Sequence, residues 1–189
     1  MKKPTFEELK SIIFMNFPAS YEYPNAPYFA EYLQFDPNAN LLEVLEDQTK
    51  QMLAIYEALT EQTAEYAYAE GKWSLKQLLG HMVDSERIFG YRALAISRGE
   101  MQSLPGFDEN EYMDQAGYEN QSLSAVLSQY KTARAATIAL VQSFTQTQGN
   151  AIGLANGHKI SARALSWMIA GHEKHHLSII QARYLPHFS

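Results

Sequence analysis

The chain is 189 residues long and 46% hydrophobic, enough for one domain with a sizeable core and too short to expect two. Its net charge of -6, with only 15 Lys and Arg scattered along it, argues against the basic face that a nucleic-acid backbone or an anionic membrane requires. The absence of cysteine removes disulfides, thiolate ligands and a cysteine nucleophile, leaving His and carboxylates to bind metal.

Thr5 with Glu8 forms a capping pattern that predicts a short first helix. The acidic turn at Glu7 and Glu8 is unlike a secretory leader, and no run approaches 18 apolar residues, so the sequence reads as cytoplasmic with no membrane span. Residues 17–37 hold four prolines and many tyrosines and read as an irregular arm that wraps the domain. Asn40 with Glu43 then opens a long helix carrying Leu41, Leu45, Gln48, Met52, Ile55 and Leu59 on one stripe. Ser74 with Gln77 opens a second, running through Leu78, Met82 and Phe89 to Ile96. A third follows Ser122, through Val126, Tyr130, Thr137 and Val141, and a fourth opens near Ser161 with Leu165, Ile169, His172, His176 and Ile179 in its seam. Four periodic helices without a convincing strand run predict an all-α four-helix bundle. The expected organisation is a single domain over 1–189, with an arm at 1–39 and the bundle at 40–185. The link 98–121 is long enough to cover a site or make a crossover, and the link 149–159, with three glycines, is expected to bend freely.

The chemistry concentrates in Gly171-His172-Glu173-Lys174-His175-His176. Imidazoles four apart on a helix stand about 5–6 Å apart on one face, close enough to share a metal ion. The run also matches H-E-x-x-H, but the zincin extension would need Gly at 179 and His at 182, where Ile179 and Ala182 stand. None of the 13 residues after His176 is Asp or Glu, so a third ligand must come from upstream. His81, flanked by apolar residues in the stripe of the second helix, is the candidate. Three histidines from two helices leave coordination positions open, as catalytic sites do. The plainer alternative is a pair of core histidines hydrogen-bonded to polar neighbours. His175 is turned about 100° from His176 and stands at the seam's edge, while His158 and His187 read as exposed. Glu173 is a candidate general base, against a surface or supporting carboxylate. Asp84 could orient an imidazole or a bound water, against a salt bridge with Arg87 or Lys76.

With Gly71-Lys72-Trp73-Ser74-Leu75-Lys76-Gln77, Gly80-His81-Met82-Val83-Asp84-Ser85-Glu86-Arg87, Tyr91-Arg92-Ala93-Leu94, Leu104-Pro105-Gly106-Phe107-Asp108, Ala155-Asn156-Gly157 and the histidine run, the chain resembles the DinB-like superfamily of bacterial metal-binding four-helix proteins over residues 40–185. That resemblance implies long crossover loops and a divalent metal held by three histidines, mapping onto His81, His172 and His176. It also implies a metal-dependent hydrolase or a thiol S-transferase acting on a small-molecule substrate. Zn²⁺ is the first expectation for the metal, ahead of Ni²⁺, Fe²⁺ or Mn²⁺, and a low-molecular-weight thiol is the second cofactor the transferase would need. The alternative is a non-catalytic metal-stabilised binding or stress protein, whose site a fourth protein ligand would close. No nucleic acid or membrane is expected as a partner, and a homodimer is left open.

Overall fold

Each long helix begins where a side chain closes its first turn. Asn40 Oδ1 accepts from Leu42 N at 3.0 Å, and Ser122 Oγ and Ser161 Oγ accept from Ala125 N and Ala164 N at 3.2 and 2.9 Å. Ser74 and Gln77 form a reciprocal box, Gln77 N donating to Ser74 Oγ and Ser74 N to Gln77 Oε1. Each such cap stabilises its helix by about 1 kcal/mol. A computed structural model describes residues 15–188, so the helix expected at Thr5 and Glu8 lies outside the described residues. In chain order the helices are α1 (Pro27–Tyr32), α2 (Leu41–Tyr56), α3 (Glu61–Ala64), α4 (Leu75–Ser97), α5 (Glu109–Ala116), α6 (Leu123–Ser143), α7 (Gln146–Gly149) and α8 (Ala162–Ile179), with strands β1 (Ile152–Ala155) and β2 (His158–Ser161) before α8. No described helix is long and apolar enough to cross a membrane.

The apolar seams of the four long helices fill two clusters. Leu41 and Leu45 of α2, Phe89 and Ile96 of α4, Val141 of α6 and Leu165 and Ile169 of α8 share one. Met52 and Tyr56, Leu78 and Met82, Val126 and Tyr130, and Leu177 share the other. Helices α2 and α8 therefore enter the first cluster with their N-terminal halves, whereas α4 and α6 enter it with their C-terminal halves. Between the clusters each seam turns polar at one level, with buried Gln48, then His81, Ser85 and Glu86, then Arg134 and Thr137, then His172, Glu173 and His176. Helix α4 packs on α6 and α8, and α2 packs on the same two, so α2 and α4 face each other across the diagonal.

Since the adjacent helices α4 and α6 run parallel, the link between them must travel back along a helix of 23 residues, about 34 Å at 1.5 Å per residue. This is the physical reason for the long 98–121 segment. It carries α5 and is pinned at both ends. Leu104 exchanges backbone hydrogen bonds with Leu154 and Asn156 at 2.9 Å, a parallel bridge on the edge of β1, and Tyr118 lies on Gly80. The 149–159 link does not bend freely. It folds into an antiparallel hairpin, β1 against β2, turned by Asn156 and Gly157 at φ of 50° and 75°. Asn-Gly is the pair that favours such a turn, because both central residues need positive φ.

The arm holds a 3-10 turn at Ser20–Glu22 and then α1, and it does wrap α8. Buried Glu22 accepts from Ser161 Oγ at 2.8 Å and from Arg163, while the Trp167 indole donates to the carbonyls of Met15 and Asn16 at 3.1 Å. At Gly171 the approach is closest, since a Cβ built there would stand 2.2 Å from the Tyr32 carbonyl oxygen. Gly171→Ala is therefore expected to push α1 off α8 and to cost about 1–3 kcal/mol, the usual range for overpacking. Thermal denaturation would read the loss, and an unchanged midpoint would show that the arm yields freely.

Candidate metal centre

Helix α8 brings His172 and His176 to one face and α4 brings His81 against them. The Nε2 atoms of His81 and His172 are 3.0 Å apart, and those of His176 and His172 are 3.1 Å apart. All three rings are buried, at 7, 6 and 8% exposure for His81, His172 and His176. Trp73 lies against His81, and Tyr32 and Phe89 against His172, which keeps the cluster in an apolar setting.

Proton bookkeeping within the cluster does not close. A neutral imidazole nitrogen offers either one N–H or one lone pair, and His172 Nε2 faces two other nitrogens. At most one of those contacts can be a well-formed hydrogen bond, and the other nitrogen is left without one. A shared cation satisfies all three nitrogens at once. Tetrahedral ligands at 2.0–2.1 Å stand about 3.3 Å apart, close to the observed separations. The donor set therefore fits a divalent ion that accepts imidazole, and among the described residues no other group of three His, Asp or Glu converges in this way. His176 Nδ1 is buried and lacks a partner among the described residues, so no outer hydrogen bond orients that ring.

Burial pushes the His81 pKa down to about 4, and burial, with the neighbouring histidines adding to it, holds His172 and His176 well below the usual range. The rings are therefore neutral at neutral pH, each with one nitrogen free to offer a lone pair.

Glu173, the expected base, faces elsewhere. Arg134 donates to Glu173 Oε1 and Oε2 at 3.1 and 2.6 Å and to both oxygens of Glu86 at 2.9 Å, and Tyr130 Oη adds a bond to Glu173. Burial holds the Glu173 carboxyl above the ordinary carboxylate range, with Arg134 pulling the other way. Asp84 accepts from Tyr118 Oη at 2.9 Å and pairs with Arg87 at 3.4 Å, while Lys76 pairs with Glu65. Neither Glu173 nor Asp84 lines the cavity of about 510 Å³ onto which the histidines open. His175 does line it, with Nδ1 3.0 Å from Glu31. His158 also lines it, and His187 stacks on Tyr66 at the far end of the chain.

Ser85 and Arg92 of α4 and Tyr28 and Tyr32 of α1 also line the cavity, and sequence reasoning assigned none of them a role. The signal for the first two was present: they stand four and eleven residues after His81, on its own helical face.

A helical bundle with a buried three-histidine cluster opening on a cavity is the class that fold and site define together. The sequence pattern of the DinB superfamily matches residues 44–180, and the chain belongs to that superfamily. A candidate metal-dependent hydrolase from Oceanobacillus iheyensis is 24% identical over 142 residues, covering 74% of this chain and 81% of its own. The fold is similar to that of YfiT from Bacillus subtilis, described as a probable metal-dependent hydrolase with an unusual four-helix bundle topology. The TM-score is 0.68 at 17% identity, covering 86% of this chain and 95% of that one.

Two outcomes are expected here. Arg134→Met leaves two carboxylates buried without their cation and should destabilise the fold by about 3–5 kcal/mol in denaturant titration, whereas a loss below 1 kcal/mol would mean water reaches the pair. The histidines act through protons: unfolded rings titrate near 6.5 and buried His81 near 4, so the unfolded state binds more protons in that window. Stability of metal-free protein should accordingly be full above about 6.5 and fall as pH drops towards 4. His81→Gln should flatten that slope, and an unaltered slope would show that the ring titrates normally.

Proposed function

We propose that the protein is a metal-dependent enzyme in which His81, His172 and His176 hold one divalent ion, Zn²⁺ first, at the end of a cavity that admits a small molecule. The observation that carries this reading is the convergence of three buried ring nitrogens whose lone pairs cannot satisfy one another. Bound there, the ion would supply Lewis-acid chemistry, lowering the pKa of water or a small thiol. The chain's own part is positional. Burial keeps the three rings neutral, Trp73, Tyr32 and Phe89 exclude water around them, and α1 with the 98–121 segment encloses the rest of the cavity. No fourth His, Asp or Glu joins the cluster among the described residues, which favours an enzyme over a closed structural site.

Hydrolysis is the first reading, in keeping with the names of the relatives. Thiol S-transfer is the second, and one observation favours it: Glu173 and Asp84 do not line the cavity, and Glu109, the carboxylate that does among the described residues, is exposed. A thiol once ionised needs no such base.

Elemental analysis of the purified protein is expected to find about one divalent ion per chain, since three histidines make one cluster. His172→Ala, His176→Ala and His81→Ala should each lose it, and His158→Ala should keep it. Full occupancy in both α8 variants would refute the site. With Co²⁺ in place, a thiol-dependent absorption band followed by turnover of an activated electrophile would decide for transfer, and turnover of esters or amides without thiol would decide for hydrolysis.

A further inference from the structure

Helix α4 presents three polar side chains to the cavity in a row: His81, Ser85 and Arg92. At 100° per residue Ser85 lies about 40° and Arg92 about 20° from His81, and the eleven steps to Arg92 rise about 16 Å. One end of this track is the histidine cluster. Among the described residues, of the other two members Ser85 lacks a hydrogen-bond partner and Arg92 lacks a carboxylate partner.

Ser85 is 1% exposed and among the described residues its Oγ has no hydrogen-bond partner, not even the carbonyl four residues back. A buried hydroxyl of this kind gains from a hydrogen-bonding partner placed in the cavity. Arg92 is 7% exposed, and Nη2 donates to the Pro105 carbonyl at 2.6 Å. Its guanidinium lies 5.9 Å from the Phe89 ring centre and 5.7 Å from that of Phe107. Among the described residues no carboxylate pairs with it. The contrast within the same molecule is sharp, for buried Arg134 holds Glu86 and Glu173, and Arg163 holds Glu22. Desolvation lowers the Arg92 pKa without abolishing the charge. A guanidinium fixed between two rings, with one donor tied to a carbonyl and its counterion missing, is built to receive an anion.

The cavity also limits which anion. Among the described residues Arg92 is its only lysine or arginine, and Glu109 stands exposed among those that line it, so a dianion such as a phosphate monoester would lack a second cation there. One planar monoanion matches one planar guanidinium. Tyr28, which burial keeps protonated with a pKa raised to about 12, supplies a neutral donor in the same cavity.

We propose that the cavity binds a small organic acid lengthwise, with its carboxylate on the Arg92 guanidinium, a hydrogen-bonding group of its chain on Ser85 Oγ, and its reacting group at the His81, His172 and His176 end. Only the last of these placements rests on the metal-centre reading; the carboxylate on Arg92 stands without it. The substrate class that follows is an acid whose reactive function is separated from its carboxylate by a chain, rather than an α-substituted acid.

Calorimetric titration of the purified full-length protein with hexanoate and with hexanamide, its neutral counterpart, tests the central contact. Hexanoate should bind at least tenfold tighter, Arg92→Gln should erase that preference, Arg92→Lys should keep part of it, and His172→Ala should keep all of it. Equal binding of the two probes to the wild-type protein would overturn the inference even if no Arg92 variant folds. So would a preference that survives Arg92→Gln and vanishes in His172→Ala, since the carboxylate would then sit at the histidine end. Orientation is read with 6-mercaptohexanoate against hexanoate. A further gain in affinity that disappears in His172→Ala supports the lengthwise placement, and a gain that persists there overturns it. Discrimination by Arg92 in protein that carries no metal would support the anion site while refuting the metal reading. Metal without discrimination would do the reverse.

Discussion

The bundle depends on one buried guanidinium. Arg134 of α6 is 1% exposed and bonds both oxygens of Glu86 on α4, both oxygens of Glu173 on α8, and the Leu45 carbonyl and Thr49 hydroxyl of α2. A charge taken out of water costs several kcal/mol, and only near-complete pairing offsets it. Burial works against the Arg134 charge, but Glu173 and Glu86 outweigh it and hold its pKa above the usual range. Since those partners sit on every other long helix, the network fixes how each is rotated about its own axis. With Glu173 turned to Arg134, helix geometry points His172 and His176 about 100° and 60° round in the same sense, towards α4. With Glu86 turned the same way, Ser85 and His81 face the cavity. The ion network and the histidine cluster are thus two sides of one polar layer.

The topology then decides what covers that layer. Parallel neighbours α4 and α6 oblige the chain to run back along the bundle, and the returning segment passes the cavity, delivering the Pro105 carbonyl and the Phe107 ring to Arg92. Its pinning on β1 and on Gly80 leaves little freedom for a sweeping lid motion. The arm closes the other wall by the same logic of close approach, with α1 seated on Gly171 so that Tyr32 reaches His172.

Legibility in the sequence tracked how local the physics was. Three helix starts were readable to the residue at Asn40, Ser74 and Ser122, and a fourth near Ser161, because a cap is an interaction within one turn. The gathering of His81 with His172 and His176 was readable from periodicity, since all three occupy apolar seams. The hairpin was signalled by Asn156-Gly157 but passed over, because strands of four residues carry too little alternation to stand out. Arg134 was not legible at all. A charged residue on an amphipathic helix reads as solvated, and only the tertiary partners Glu86 and Glu173, 48 and 39 residues away, reverse that reading. For Glu173 the sequence left a general base and a supporting carboxylate both open, and its contacts with Arg134 and Tyr130 favour the second.

Burial of the histidines has a consequence for when the site can function. Ligand nitrogens must be free of protons, so an exposed three-histidine site loses affinity as pH falls through about 6.5. Here the dry setting holds all three rings below that value, with His81 near 4, and protons begin to compete only in more acidic solution. The same burial leaves the cluster short of N–H groups, since the three rings cannot all hydrogen-bond to one another. Both effects bias the seam towards holding a cation at neutral pH. The Arg134 network resists the alternative, in which the helices rotate and the rings reach solvent.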